Sequence, residues 1–261
     1  MLQPHSFLWH YLWVGPHALQ LVLAILLWRR QVQREFPAFF AYLVFAAIGG
    51  LTLWALDMLS LVSAVAYGRS CYATVVVEGL LTLAVVWELF SRLLHRYPAR
   101  VSLGRRLIAL TGALLALLAA LAARNPVAPG QPALVAHLYS LLLGLYIVLS
   151  GLMLFLFLFA AYHGLTWDRR ALGIALGFSI DWCEHAAGWA LIASGLGDTR
   201  LDFLNASTYH LCVLLWFYYL LSPEHPSAVP TDSYTSTGIK TNPPIHRIGQ
   251  KLQPARLLAR L

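Results

Sequence analysis

Residues 141–161 read LLLGLYIVLSGLMLFLFLFAA, an apolar run with no charged side chain. As a helix rising about 1.5 Å per residue, such a run covers the ~30 Å hydrocarbon core of a bilayer. Lipid offers no partner to open backbone N–H and C=O groups, so a run of this length must be a helix and not a barrel strand. Working outward, similar runs fall at about 9–28, 37–58, 71–92, 106–123, 134–161, 171–193 and 202–221. The sequence therefore predicts an all-α membrane protein, a bundle of seven transmembrane helices over 1–221. Composition agrees: 59% of residues are hydrophobic and 11% charged, with a mean hydropathy of +0.68, which is not the balance of a soluble domain.

The basic residues set the expected orientation. Arg29, Arg30 and Arg34 follow the first span, Arg92, Arg96, Arg100, Arg105 and Arg106 the third, and Arg169 and Arg170 the fifth; five more lie after the last. Only Arg69, Arg124 and Arg200 fall on the other side. By the positive-inside rule the N-terminus is outside and the C-terminus cytoplasmic. The net charge of +7 is then topological, spread over short loops beside anionic lipid, and implies the bilayer as partner and no nucleic acid. The first ten residues hold no Lys or Arg and no small-residue cleavage site follows them, so the first span is expected to remain as an anchor. From 222 to 261 the composition turns to Pro, Ser, Thr and basic residues, which predicts a disordered basic cytoplasmic tail, a place for a protein partner, with 251–261 read either as a short helix on the membrane surface or as a solvated tail end.

Ionisable groups in a span cost roughly 2.5–3.5 kcal/mol each on insertion scales and are functional candidates by default. At 100° per residue Gly177, Asp181, Glu184, His185 and Gly188 share about one quarter of the sixth span's circumference. The third span carries Cys71, Thr74, Glu78 and Thr82 at spacings of three and four, which places hydroxyls one turn above and below Glu78. Asn205 and Thr208 share a face of the seventh span with Cys212, and His210 points elsewhere. A binding site of Glu78, Asp181, Glu184, His185, Asn205 and Thr208 between spans three, six and seven is the resulting expectation, for a small molecule, an ion or a proton.

His10, His17 and Gln20 in the first span and His137 at the start of the fifth add imidazoles toward the same leaflet. Imidazole and carboxylate are ligands for zinc and similar metals, and His17, His185, His210 and Asp181 are the metal candidates. No other cofactor is indicated. With no lysine in any span, a retinal-type Schiff base is excluded. The remaining features read as structural. Gly15-Pro16 marks a start or kink of the first helix. Gly112, Ala116 and Ala120 offer a close-packing face on the fourth. Glu88 and Arg92 form an i,i+4 pair, and Trp9, Trp28, Trp87 and Trp167 anchor at the interfaces. The three cysteines are expected to be free thiols.

The stretch Val77-Glu78-Gly79-Leu80-Leu81 through Trp87-Glu88-Leu89-Phe90 to His95-Arg96-Tyr97-Pro98 resembles uncharacterised seven-span membrane proteins of the acidobacterial type. The resemblance covers the spans and not the tail. It implies a bacterial inner (plasma) membrane and supplies no activity. Three active roles compete: sensing or binding at the polar site; a metal-dependent membrane-embedded hydrolase; and a proton-coupled transport component. The hydrolase reading is weakened because Asp181 and His185 replace the His-x-x-x-His pair of the alkaline ceramidase kind, and the transport reading by the absence of inverted repeats. A structural subunit of a membrane complex is the fourth reading. The residues favour sensing or binding.

Overall fold

The computed structural model describes residues 6–59, 62–95, 101–122, 133–193 and 199–222. The tail from 223, the loop at 124–132 and the side chain of His137 lie outside the described residues, as do the readings placed on them. Among the described residues there are seven α-helices: α1 (Phe7–Arg29), α2 (Pro37–Met58), α3 (Ala64–His95), α4 (Val101–Ala122), α5 (Ala133–Tyr162), α6 (Arg169–Ala193) and α7 (Thr199–Leu221). A single 3₁₀ turn, Val32–Arg34, joins α1 to α2. Each expected span coincides with one helix.

Four of them, α1, α2, α3 and α5, are long and apolar enough to cross a membrane. These mark a membrane helical protein. In α6 the same length carries Arg169, Arg170, Asp181 and Glu184, and α7 begins with Arg200 and Asp202, so both have a lower mean hydropathy than α5.

Lateral packing closes a ring. α1 packs on α2, α2 on α3, α3 on α5, α5 on α6, α6 on α7, and α7 returns to α1. α4 stands outside this ring, packed mainly on α5. The expected small-residue face is not where it packs most tightly: a β-carbon at Gly112 would meet only Leu152 at 3.8 Å, whereas Gly151 of α5 lies directly beneath Leu115 of α4 and Gly104 of α4 lies against Leu94 and Phe90 of α3. Small residues permit approach, and those used here are Gly151 and Gly104.

α1 is continuous from Phe7, with Pro16 inside it, so the helix does not begin at Gly15. Continuity puts His10 and His17 on one face, and both meet α2: Trp54 Nε1 donates to His10 Nδ1 at 3.2 Å, and the His17 ring lies against Gly50, four residues before Trp54.

At the α1–α2 turn the expected Glu88–Arg92 pair does not form. α2 begins Phe36-Pro37, and Phe36 provides no side-chain cap. The exposed amides find their acceptor across the bundle, where Glu88 Oε1 and Oε2 receive the N–H groups of Ala38 and Phe39, each at 3.1 Å. A carboxylate at a helix N-terminus satisfies unpaired donors and complements the helix dipole. Arg92 turns instead to Glu35. Its Nη2 is 2.7 Å from Glu35 Oε1, its Nη1 donates to the Glu35 carbonyl, and its guanidinium lies 4.0 Å over the Phe36 ring. Arg170 of α6 takes the other carboxylate oxygen at 2.7 Å. Glu35 thus ties the turn to α3 and α6 at once.

Above this ionic cluster lies an aromatic layer. Phe178 is within 4.6–6.0 Å, ring to ring, of Phe39, Tyr42, Trp182 and Trp216. Gly177 makes room for it, since a β-carbon there would collide with the Trp216 indole, which donates to the Ile174 carbonyl at 3.4 Å. Along α2 the order is Glu35, Phe39, Tyr42, and along α6 Arg170, Phe178, Asp181. The layer therefore separates the ionic cluster from the polar groups of α6.

Candidate functional site

Beyond the aromatic layer the ring helices line a partly open cavity of about 360 Å³. All six ring helices line it, with Trp9, Trp13 and His17 from α1, Tyr42 from α2, Glu78 and Thr82 from α3, Tyr146 from α5, Asp181, Trp182 and His185 from α6, and Asn205 and Tyr209 from α7; α4 contributes none of the lining.

Four of the six residues expected from sequence, Glu78, Asp181, His185 and Asn205, share this cavity. The face of α6 explains the first contact. Gly173 and Gly177 let Tyr219 and Trp216 of α7 come close, and one turn further Asp181 is carried between α7 and the cavity with only 4% of its surface exposed. Glu184 does not line the cavity; its Oε2 stands 3.4 Å from His185 Nδ1. Thr208 is not a lining residue.

His185 is held by its own helix. Its Nδ1 is 2.8 Å from the Asp181 carbonyl oxygen, an atom that only accepts, so Nδ1 carries the hydrogen. Asp181 Oδ1 is also near, at 3.4 Å, a charge-pair distance, but it has no hydrogen-bond partner. The ring stacks on Tyr146, centroid to centroid 4.7 Å. With Nδ1 committed, Nε2 is the nitrogen left for a visitor.

A second polar line runs along α1 and α7. Gln20, fully buried, takes His17 Nδ1–H on its Oε1 at 3.1 Å and donates from Nε2 to the Tyr209 hydroxyl at 2.6 Å. Tyr209 is also paired with Tyr42. An amide that both accepts and donates is the side chain able to satisfy two such neighbours in the interior. Sequence reading noted Gln20 only as near the histidines and did not reach Tyr42, Tyr146 or Tyr209. A tyrosine in an apolar run reads as core or interface, and only the third dimension shows three of them turned to one void.

The third-span face splits. Glu78 and Thr82 line the cavity, but the Thr82 hydroxyl donates back to the Glu78 and Gly79 carbonyls at 2.9 Å and does not serve the Glu78 carboxyl. Thr74 faces the other way, against Gly49 of α2. Of the metal candidates, His17, Asp181 and His185 line the cavity, whereas His210 turns to α1, beside Gly15 and 5.6 Å from the Tyr11 ring. Among the described residues no three His, Cys, Asp or Glu side chains come together as a metal site. Trp9, expected as an interface anchor, lines the cavity, and Trp167 packs on Phe157 at 5.2 Å; Trp28 and Trp87 are exposed. Cys71, Cys183 and Cys212 are free thiols.

Comparison with protein-family models, with curated proteins and with solved structures finds no match to the chain.

Proposed function

We propose that the chain is a seven-span protein of a bacterial inner membrane, N-terminus outside and tail cytoplasmic, whose cavity binds a ligand, an ion or a proton in a sensing role. One observation carries this reading: Asp181 is buried, borders the cavity shared with Glu78 and His185, and keeps Oδ1 without a hydrogen-bond partner. Burying an unpaired carboxyl oxygen costs several kcal/mol at most and about 1 kcal/mol at least. A cluster that served only to hold helices together would pair that oxygen with a neighbour. A residue that borders a cavity and keeps an unpaired carboxyl oxygen is suited to receive a donor from it. The hydrolase reading gains no support from the geometry, since three grouped metal ligands are not found among the described residues.

Two experiments test the reading. Reporters fused after Ser222 should be active only in the cytoplasm, and reporters inserted at Gly130 only outside; the reverse pattern overturns the orientation. Purified full-length protein should show a saturable change in tryptophan fluorescence on titration with protons, monovalent cations or small polar molecules, because Trp9, Trp13 and Trp182 border the cavity. Asp181→Asn should abolish that response while the helices still form by circular dichroism. A folded Asp181→Asn protein responding as wild type in every titration removes the site from consideration.

A further inference from the structure

Resting on the reading of the cavity as a binding site, we propose that its ligand is a protonated organic amine with a compact apolar or aromatic body, its nitrogen directed to Asp181 and Glu78.

The polar groups of the cavity ask for a donor. Asp181 Oδ1 is buried and has no hydrogen bond, and the Glu78 carboxyl borders the same space. His185 has committed its Nδ1 hydrogen to the Asp181 carbonyl, so the neutral ring offers an acceptor at Nε2. Even as a cation it would stand as one positive group among Asp181, Glu184 and Glu78. The other lining imidazole, His17, is turned to Gln20 and Gly50. Among the described residues no lysine or arginine lines the cavity, so an anionic head would meet like charge and no clamp.

The walls supply the rest. Trp9, Trp13, Trp182, Tyr42, Tyr146 and Tyr209 surround the acceptors with indole and phenol rings, surfaces that attract an ammonium group through their quadrupole and hold an apolar body by contact. A volume of about 360 Å³ is within the range of small-molecule sites, whereas a bare metal ion wants several oxygen or nitrogen ligands at close quarters and not a wall of rings.

Three probes with one phenyl body and different heads separate the possibilities: phenethylamine, 2-phenylethanol and phenylacetate, each titrated calorimetrically into the full chain in detergent at neutral pH. Phenethylamine should bind saturably, about tenfold or more tighter than 2-phenylethanol, the order expected for one charge-assisted contact, and phenylacetate should not bind. Asp181→Asn and Glu78→Gln should each weaken the amine by about tenfold or more and 2-phenylethanol by clearly less. Ala206→Phe, which fills the cavity from α7, should abolish amine binding and serves should a carboxyl variant fail to fold. Equal binding of amine and alcohol, or tighter binding of phenylacetate, that Ala206→Phe removes overturns the amine and leaves the binding site standing. No binding of any probe overturns the amine as well, and if the fluorescence responses are also insensitive to Asp181→Asn and Ala206→Phe the site falls with it.

Discussion

The imidazole of His17 occupies the space that a β-carbon on residue 50 would fill. Gly50→Ala should therefore push the ring off Gln20 and, through Gln20, disturb Tyr209. Overpacking of this kind costs typically 1–3 kcal/mol. Thermal unfolding in detergent should show the loss, and His17→Ala in the same chain should recover most of it, because the small ring-free side chain restores the room. Additive losses in the double variant would show that the two positions do not share that space.

Tyr209→Phe leaves the buried Gln20 N–H without its acceptor, a loss of about 1–3 kcal/mol. Replacing both partners, as Gln20→Leu with Tyr209→Phe, should cost less than the sum of the two single changes, since only the His17 Nδ1–H is then left unmatched. Unfolding midpoints of the three variants decide the matter. A double variant weaker than the sum of the singles would rule out this account.

Glu88 serves α2 and not its own helix. Glu88→Ala should destabilise the protein by about 1–2 kcal/mol, as loss of a helix cap does. A double-mutant cycle should find weaker coupling between Glu88 and Arg92, despite their i,i+4 spacing, than between Glu35 and Arg92. Coupling of the first pair above that of the second contradicts the geometry.

The Glu35 cluster is about one-third exposed, so each pair is worth on the order of 1 kcal/mol or less and weakens with salt. Glu35→Gln should lower the unfolding midpoint at low ionic strength and have a smaller effect at high salt. An effect independent of salt would assign the loss to packing.

These positions also show what a single sequence carries. Helix existence was legible at all seven sites, because a long apolar run with few breakers satisfies its backbone as a helix. Lateral order was not. Lipid tails are as apolar as leucine, so an apolar face does not announce whether it meets lipid or another helix. Asp181, Glu78, His185 and Asn205 were legible as candidates because polarity in a span is conspicuous. Thr74 and Thr208, drawn from the same spacings, turned elsewhere, for a face of a helix names no neighbour. Glu88 shows the converse error. Its spacing to Arg92 suggested a local pair, while the signal that mattered lay fifty residues away, in a helix that opens on Phe36-Pro37 with no side chain to cap it.

The ring closes through contact between α1 and α7, the first and last of the described helices. Synthesis runs in one direction, so α1 waits beside α2 and α3 with Gln20 still lacking Tyr209, and Asp181 arrives before the helix that covers it. Until α7 is released from the ribosome, these polar groups have lipid or a translocation partner beside them and not one another. The cavity is thus completed only once α7 is in place, and a chain halted after α6 would leave Gln20 without Tyr209 and Asp181 without the helix packed over it.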